Sequence, residues 1–564
     1  MKQIESSSLE EYLEARALSV LGLMPAPNPT EEAKFAFTND MTEIRKQKVA
    51  LAVAWYSGES DELLRVYNYN ARIEFRTEYY YYENDRSYFW SIAALEKETK
   101  RTHSGFGKAI IDTIVDICGV PVADAGKGPD GVSPAVLGKD LSGMDVFAQK
   151  ALDDLLHANM FWDLYQNKQM PLTLVEGYGA YKITWDKAVF GCDPVITYYR
   201  ANDVRIYERC NRVLGMTFLD YYRDGKGQRY LVAETRVLER GGQSATFITE
   251  CFKEYGQQLI AVHGDECDFL PVKMGVQTGM PCLFAQPCRF YHDHTTMSFG
   301  KGVLDSKFDV LDGLDQTLSI LENTVRVATP LVTFDTNFAD RDEHGMPKLP
   351  NLYNQNFIQI RGRKNEFGSE AGGSKPIEVT QPQIDVDRFV RAIEQYERLM
   401  INGILSPATM GLDVNKQDSK GALEEKDKTT VFTRNHVLER EKDILEGLIK
   451  QALLAKQYLL MGKVDAFWLK PTVEFDEFSD TSYESKIESL SSVLANNAIS
   501  PKMYVKKVYG NSLDDKGRDE ETKWLDEQKQ KGQLQAQDEM FGGDEEGSGE
   551  GGQEDLGAVL GGDA

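Results

Sequence analysis

No uninterrupted apolar run in the sequence approaches the roughly 18 to 20 residues that a bilayer-spanning helix requires. Residues 1–14 are polar and acidic and lack the apolar core of a signal peptide. The chain is therefore expected to be soluble and unprocessed, with no membrane partner. Cysteines are sparse: the seven, at positions 118, 192, 210, 251, 267, 282 and 288, are odd in number and contain no CxxC. That argues against a disulfide framework and a zinc knuckle, and fits a reducing, cytosolic site of assembly. Positive charge is also in deficit, with 64 Lys plus Arg against 89 Asp plus Glu and a formal net charge of -25. Such a balance disfavours a protein whose task is to grip phosphates, but not one that lets DNA slide past it.

Motifs that carry chemistry are missing too. Gly105-Phe106-Gly107-Lys108 and Gly126-Lys127-Gly128 resemble phosphate-binding loops, yet neither supplies GxxxxGK followed by Ser or Thr after a buried strand. There is no GxSxG elbow, HExxH helix or EF-hand loop, and no carboxylate pair stands out as a general acid and base. Cys288, His292, Asp293 and His294 are metal-ligating types, but no second ligand pair has zinc-like spacing, so an ordinary strand-to-helix loop is expected there. The run Tyr79 to Tyr82, with Tyr88, Phe89 and Trp90, offers stacking faces for bases. A twisted strand with one buried and one exposed face is the plainer reading. The sequence thus predicts no catalytic residue, metal site or cofactor, and a protein that is not an enzyme.

What is present is length and pattern. At 564 residues and 41% hydrophobic content the chain can build two or more cores. Apolar spacing is mainly helical from about residue 10 to 160. Between 183 and 283 it changes to β-branched and aromatic runs (VITYY, TFLDYY, YLVAETRV, ATFITECF), separated by Asp-Gly, Gly-Lys-Gly and Gly-Gly turns. An antiparallel β region is expected there. Helical spacing returns at Lys301 with Leu304, Phe308, Leu311, Leu314, Leu318, Leu321 and Val325. Asp305, Asp309, Asp312 and Asp315 form an acidic stripe beside them, read as a solvated helix face. Residues 329–383 break all periodicity with five prolines and a Gly-Gly pair. A second amphipathic helix is expected over 385–402, then a polar stretch (TMGLDVNKQDSKG), then a long proline-free helix over 422–462. Beyond Pro471 come a short strand (TVEFDEF), a helix, and a turn at Ile499-Ser500-Pro501. From Gly532 onward no Lys or Arg occurs, and the tail reads as disordered.

This order resembles the portal proteins of tailed bacteriophages over about residues 50 to 510. The segments WYSGESDELL, FGKAIIDTIVDICGVPV and GYGAYKITWD are similar to family positions, and their order is the signal. SFGKGVLDSKFDVLDGLDQTLSILENTVRVATPLV is similar to the family's stem helix leading into its clip, with Asp312 or Asp315 at the place of a central Asp. SKGALEEKDKTTVFTRN resembles the start of the family's tunnel helix, and NNAISPKMYV a recurring ending.

The resemblance implies an α+β, portal-like fold. A mixed α/β wing would occupy residues 1–298, a stem helix 299–328, a small α/β clip 329–383 and a returning stem helix 384–403. A tunnel loop would span 404–421 and a long tunnel helix 422–462. The wing strand and helical crown would span 463–524, before an acidic tail over 525–564. It further implies a homo-oligomeric ring, usually of twelve, at one capsid vertex of the virion, assembled in the host cytoplasm. Double-stranded DNA would be packaged and ejected through the channel. Terminase and the head-tail adaptor would dock on the clip, and the major capsid and scaffolding proteins would be further partners.

On this assignment Met410, Asp413, Asn415, Lys416 and Lys420 fall in the tunnel loop facing DNA. Lys416, Lys420, Lys301, Lys307 and Arg326 are candidates for transient phosphate contacts, or plain solvated surface charge. Arg361, Arg363 and Lys364 concentrate positive charge in the clip, for a docking partner or for acidic groups of a neighbouring subunit. Two other readings stand beside this one. A nucleic-acid-processing enzyme would need the missing phosphate loop. Another structural head or tail protein would not be expected to pair stem helices around an insert ahead of a long helix.

Overall fold

Helical spacing in the first part of the chain gives α1 (Leu9–Val20), α2 (Met41–Ser57), α3 (Ser60–Glu74) and α4 (Phe106–Cys118), with a short strand β1 (Lys34–Ala36) between the first two. The computed structural model describes residues 9–23, 34–36, 41–74, 88–90, 101–139, 143–210, 212–242, 244–255, 258–262, 270, 274–292, 299–327, 331–334, 344, 377–380, 385–412, 428–476, 490–491, 494, 499–509 and 517–527. The tyrosine run 79–82, Asp293 and His294, nearly all of the expected clip with Arg361, Arg363 and Lys364, the loop residues Asp413, Asn415, Lys416 and Lys420, and the acidic tail beyond residue 527 lie outside these. The chain divides into two compact units, Met1–Asp476 and Glu477–Ala564.

In the first unit, β2 (Val122–Asp124), β3 (Val136–Lys139) and β4 (Asp145–Phe147) lead into α5 (Ala148–Ala158) and α6 (Phe161–Leu164). A π-helical turn, Tyr165–Gln169, and α7 (Met170–Glu176) come next. They are succeeded by β5 (Tyr178–Thr184), α8 (Lys187–Phe190), β6 (Val195–Arg200), β7 (Val204–Arg209), β8 (Arg212–Arg223), β9 (Arg229–Leu238), β10 (Ala245–Tyr255), β11 (Gln258–Val262), β12 (Gly275–Met280) and β13 (Ala285–Arg289). The pairing is antiparallel throughout, as the turn signals predict. One sheet runs β1-β11-β10-β9-β8-β7 with β12 on β10, and a second runs β13-β5-β6. The β8–β9 turn forms at Asp224, whose Oδ1 accepts the N–H groups of Lys226 (2.9 Å) and Gln228 (2.8 Å). Tyr12 and Leu13 of α1 pack on Leu231, Ala233 and Phe252 of the long sheet. Arg236 of β9 donates to the Ile183 and Phe284 carbonyls, tying the two sheets together.

The remaining elements of this unit are α9 (Phe308–Val327), β14 (Leu331–Phe334), β15 (Ile377–Thr380), α10 (Val386–Ile401), α11 (Lys428–Met461) and β16 (Thr472–Glu474). At 34 residues, α11 is about 50 Å long. Its buried side chains include Val437, Ile444, Leu445, Leu448, Ala452 and Leu453, all part of the main core with α4, α5, α7, β5 and β13. The architecture is mixed α+β. Among the described residues no helix is long and apolar enough to cross a membrane.

In the second unit, α12 (Pro501–Tyr509) begins where the sequence suggests only a turn. Pro501 occupies the first helical position, where its missing N–H is not needed, and Ser500 Oγ accepts the Met503 N–H at 3.3 Å. Residues 517–527 are also helical.

Candidate functional site

Helical spacing begins at Lys301, but α9 begins at Phe308. Backbone groups before that point are used elsewhere: Lys301 N–H donates to Tyr291 O (2.9 Å) and Val303 N–H to Leu174 O (2.8 Å). The cause is a backbone crossing at which the GYG of residues 177–179 and the FGKG of residues 299–302 meet. A Cβ on Gly300 would lie 1.8 Å from Gly177 O, so only glycine allows this approach. Arg45 of α2 bridges both strands of the crossing. Its guanidinium donates to Glu176 O (2.8 Å), Gly300 O (2.7 Å) and Asp305 Oδ2 (2.8 Å), all away from solvent. Gly300→Ala is expected to destabilise the chain by about 3 kcal/mol through forced separation of the two backbones. The denaturation midpoint reports this, and an alanine variant of unchanged midpoint would contradict the crossing.

The acidic stripe is not a solvated face. Only Asp309 is exposed, while Asp305 is held by Arg45, and Asp312 and Asp315 are buried. The solvated reading fails because residues 88–90 and 101–104 lie across this side of α9. Asp315, with 0% exposure, accepts Trp90 Nε1–H (3.2 Å), His103 Nδ1–H (2.7 Å) and Ser104 N–H (2.9 Å). Asp312 accepts Phe89 N–H at 2.9 Å. Burial pushes its carboxyl up to about 6, against the opposing pull of the Phe89 and Trp90 backbone N–H groups. One turn on, Ser319 Oγ accepts Thr102 N–H (2.9 Å), and Glu322 accepts the Thr102 hydroxyl. Trp55, from WYSGESDELL, packs on His103 with tilted rings, 5.4 Å between ring centroids. The two aspartates therefore fasten residues 88–90 and 101–104 to α9.

Helices α9 and α10 run antiparallel. Lys307 Nζ, just ahead of α9, donates to Leu399 O (2.7 Å) and Asn402 O (3.2 Å) at the C-terminus of α10. Two of its three donors are thus fixed on helix-end carbonyls, a favourable place for a cation. At the far end, β14 pairs with β15, Leu331 opposite Thr380, and closes the base of the insert. Lys301 is half-buried at the crossing, and Arg326 is exposed and donates to Asn323 Oδ1 (3.0 Å).

The apolar face of α9 loses its cover toward the insert. Leu304, Leu311 and Leu314 are buried, Leu318 and Leu321 are half-buried, and Val325 is 54% exposed. Ile320 on the same helix is 45% exposed, and Val386 and Val390, at the adjoining end of α10, are 41% each.

Residues 404–412, the first part of the expected tunnel loop, form turns with a buried root. Leu405 and Ser406 are buried, and the hydroxyls of Ser406, Thr409 and Thr430 bond to one another at 2.7 to 3.2 Å. Thr433 Oγ1 donates to Ile404 O at 2.6 Å. Met410 packs against the main core, with its Sδ 3.6 Å from Thr113 Oγ1 of α4, so it is a root residue rather than one facing open space. Cys288 is buried inside the β13-β5-β6 sheet, and His292 forms an isolated bridge with Gly300. No group of three metal-ligating side chains occurs among the described residues.

No protein-family model matches the chain, and no curated protein matches it. Solved structures with some likeness include the neck of an empty GTA particle computed with C6 symmetry. It has a TM-score of 0.35 and 9% identity, covering 70% of this chain and 86% of that one. Another is the virion of a native gene transfer agent particle (0.33, 9% identity, 70% and 85%). A third is the neck of a native GTA particle computed with C12 symmetry (0.30, 10% identity, 72% and 89%). Likeness at this level assigns neither fold nor function to this chain.

Proposed function

We propose that the chain is one subunit of a viral portal ring, a non-enzymatic homo-oligomer of about twelve copies at one capsid vertex. Double-stranded DNA passes through its channel during packaging and ejection, while a terminase motor and a head-tail adaptor dock at the insert between β14 and β15. The observation that carries this reading is the exposure of the apolar side chains Val325, Val386 and Val390 toward one end of the helix pair. A helix pair rooted by buried aspartates and glycines, with its far end apolar and bare, needs neighbours on its flanks. Side-by-side copies of one chain supply them, and a head-to-tail contact that repeats by rotation closes into a ring. The order of elements in the sequence supports the same reading. So does the net charge of -25, since like charge keeps phosphates from adhering to a channel wall.

The double variant Val325→Asp with Val390→Asp tests it. Both positions are exposed in the single chain, so the fold should persist, with a circular dichroism spectrum like that of the parent. In a ring each chain would bury the new charges, and assembly should collapse to monomers and small species by sedimentation. Full-size rings formed by the variant would remove the stem flank from the interface.

A further inference from the structure

Glu441, midway along α11, is fully buried and takes part in no ion pair among the described residues. Among the described residues its hydrogen bond comes from the π-helical turn, where Gln169 Nε2–H donates to Glu441 Oε2 at 3.2 Å. Gln169 is also fully buried. The same amide nitrogen lies 3.5 Å from Thr173 Oγ1, which in turn bonds the Tyr198 hydroxyl at 2.9 Å. Two atoms of the Glu441–Gln169 pair find no hydrogen-bond partner among the described residues: Glu441 Oε1 and Gln169 Oε1. A carboxylate oxygen and an amide oxygen are both acceptors, so neither can satisfy the other while the acid is ionised. One proton on Glu441 Oε1 changes that. A proton there would donate to Gln169 Oε1 while Gln169 Nε2–H donates to Glu441 Oε2, so that both ends of the acid and of the amide would be satisfied together.

We propose that Glu441 and Gln169 form a buried proton-binding site, a neutral acid-amide pair that locks the long helix α11 onto the π-helical turn Tyr165–Gln169. A π-helical turn is a register irregularity found where a helix serves a local purpose, and here it presents Gln169 to the acid. The surroundings favour the neutral form. Burial pushes the Glu441 carboxyl up to about 8, and the Gln169 hydrogen bond opposes this only in part. The groups that feel it from the packed elements are Cys118 of α4, Tyr165 of the π-turn, Tyr181 of β5, Tyr198 of β6 and Cys288 of β13, and burial pushes every one of them upward. The cation in this neighbourhood is Arg434, two turns earlier on α11, whose guanidinium is taken up by the carbonyls of Ile117 (2.7 Å) and Asp476 (2.5 Å). This site goes beyond the portal reading and stands or falls without it.

The sign of the pH effect is set by linkage. Between the ordinary value of 4.5 and about 8, the folded chain holds a proton that the unfolded chain releases. Stability is therefore lost as pH rises through that window, with the folding equilibrium constant falling about tenfold per pH unit from this site. Glu441→Gln keeps the shape and supplies a permanent N–H to Gln169 Oε1. In denaturation curves from pH 5 to 8, the parent should lose stability relative to Glu441→Gln by that slope, and the variant should be the more stable of the two at pH 8. A parallel pH dependence in both proteins overturns the proposal. If the variant does not fold, the parent alone decides. Its infrared spectrum at pH 7 should show the carbonyl stretch of a protonated buried acid, which Glu441→Asp or alkaline transfer perturbs, and absence of that band equally overturns it.

Discussion

Asp315→Ala is expected to lower the stability of the folded chain by about 4 kcal/mol or more, because it strips a buried acceptor from several donors at once. Trp90 Nε1–H, His103 Nδ1–H and Ser104 N–H all end on this one carboxylate, at 3.2, 2.7 and 2.9 Å. Alanine leaves each in a space from which Asp315, at 0% exposure, shows water to be excluded. A buried donor without a partner costs about 1 to 3 kcal/mol, so the three together account for the expected loss. Asp315→Asn keeps the shape and one carbonyl acceptor and should fall between alanine and the parent. Asp309→Ala, on the exposed side of the same helix, should change stability by no more than about 0.5 kcal/mol. Equal denaturation midpoints for the alanine variants at 309 and 315 would contradict the role given to Asp315.

Removing residues 413–419 is expected to leave ring formation intact and to abolish retention of packaged DNA. The boundary is set by the root. Ser406, Thr409 and Thr430 bond hydroxyl to hydroxyl, and Leu412 N–H closes onto Pro407 O at 2.9 Å, so a cut that includes Thr409 would damage the fold itself. Starting after Leu412 spares that cluster and removes Asp413, Asn415 and Lys416. Purified variant protein should melt like the parent, while particles carrying it should be empty of nuclease-protected DNA. Normal DNA filling would show that this stretch does not act on DNA.

The helices that matter most are legible in the sequence because each carries a long amphipathic repeat. The spacing of Leu304 to Val325, of Val386 to Met400, and the proline-free stretch ending at Gly462 all mark real helices. Turns at Asp224 and at Gly241-Gly242 are legible for a local reason too, since the glycines there adopt positive φ. The rest depends on partners far away in sequence. Arg45 meets Asp305 across 260 residues, and Trp90 meets Asp315 across 225. Nothing in a helical repeat distinguishes an aspartate facing water from one about to be covered by a distant segment. The start of α9 departs from the apolar spacing for the same reason: Leu304 keeps the spacing of the leucines in α9, but the backbone of residues 300–303 just before it is engaged by residues 174–177. Thr409 and Met410 look like loop residues by composition, and only the hydroxyls of Ser406 and Thr430 and the packing of α4 make them a root.

If identical chains cover one another's exposed α9–α10 flanks around a channel, electron-microscope images of the purified protein will show it. Closed rings of about twelve copies are expected, around a hole of roughly 20 to 40 Å, wide enough for duplex DNA. Monomers persisting at high concentration, or open tubes, would contradict it.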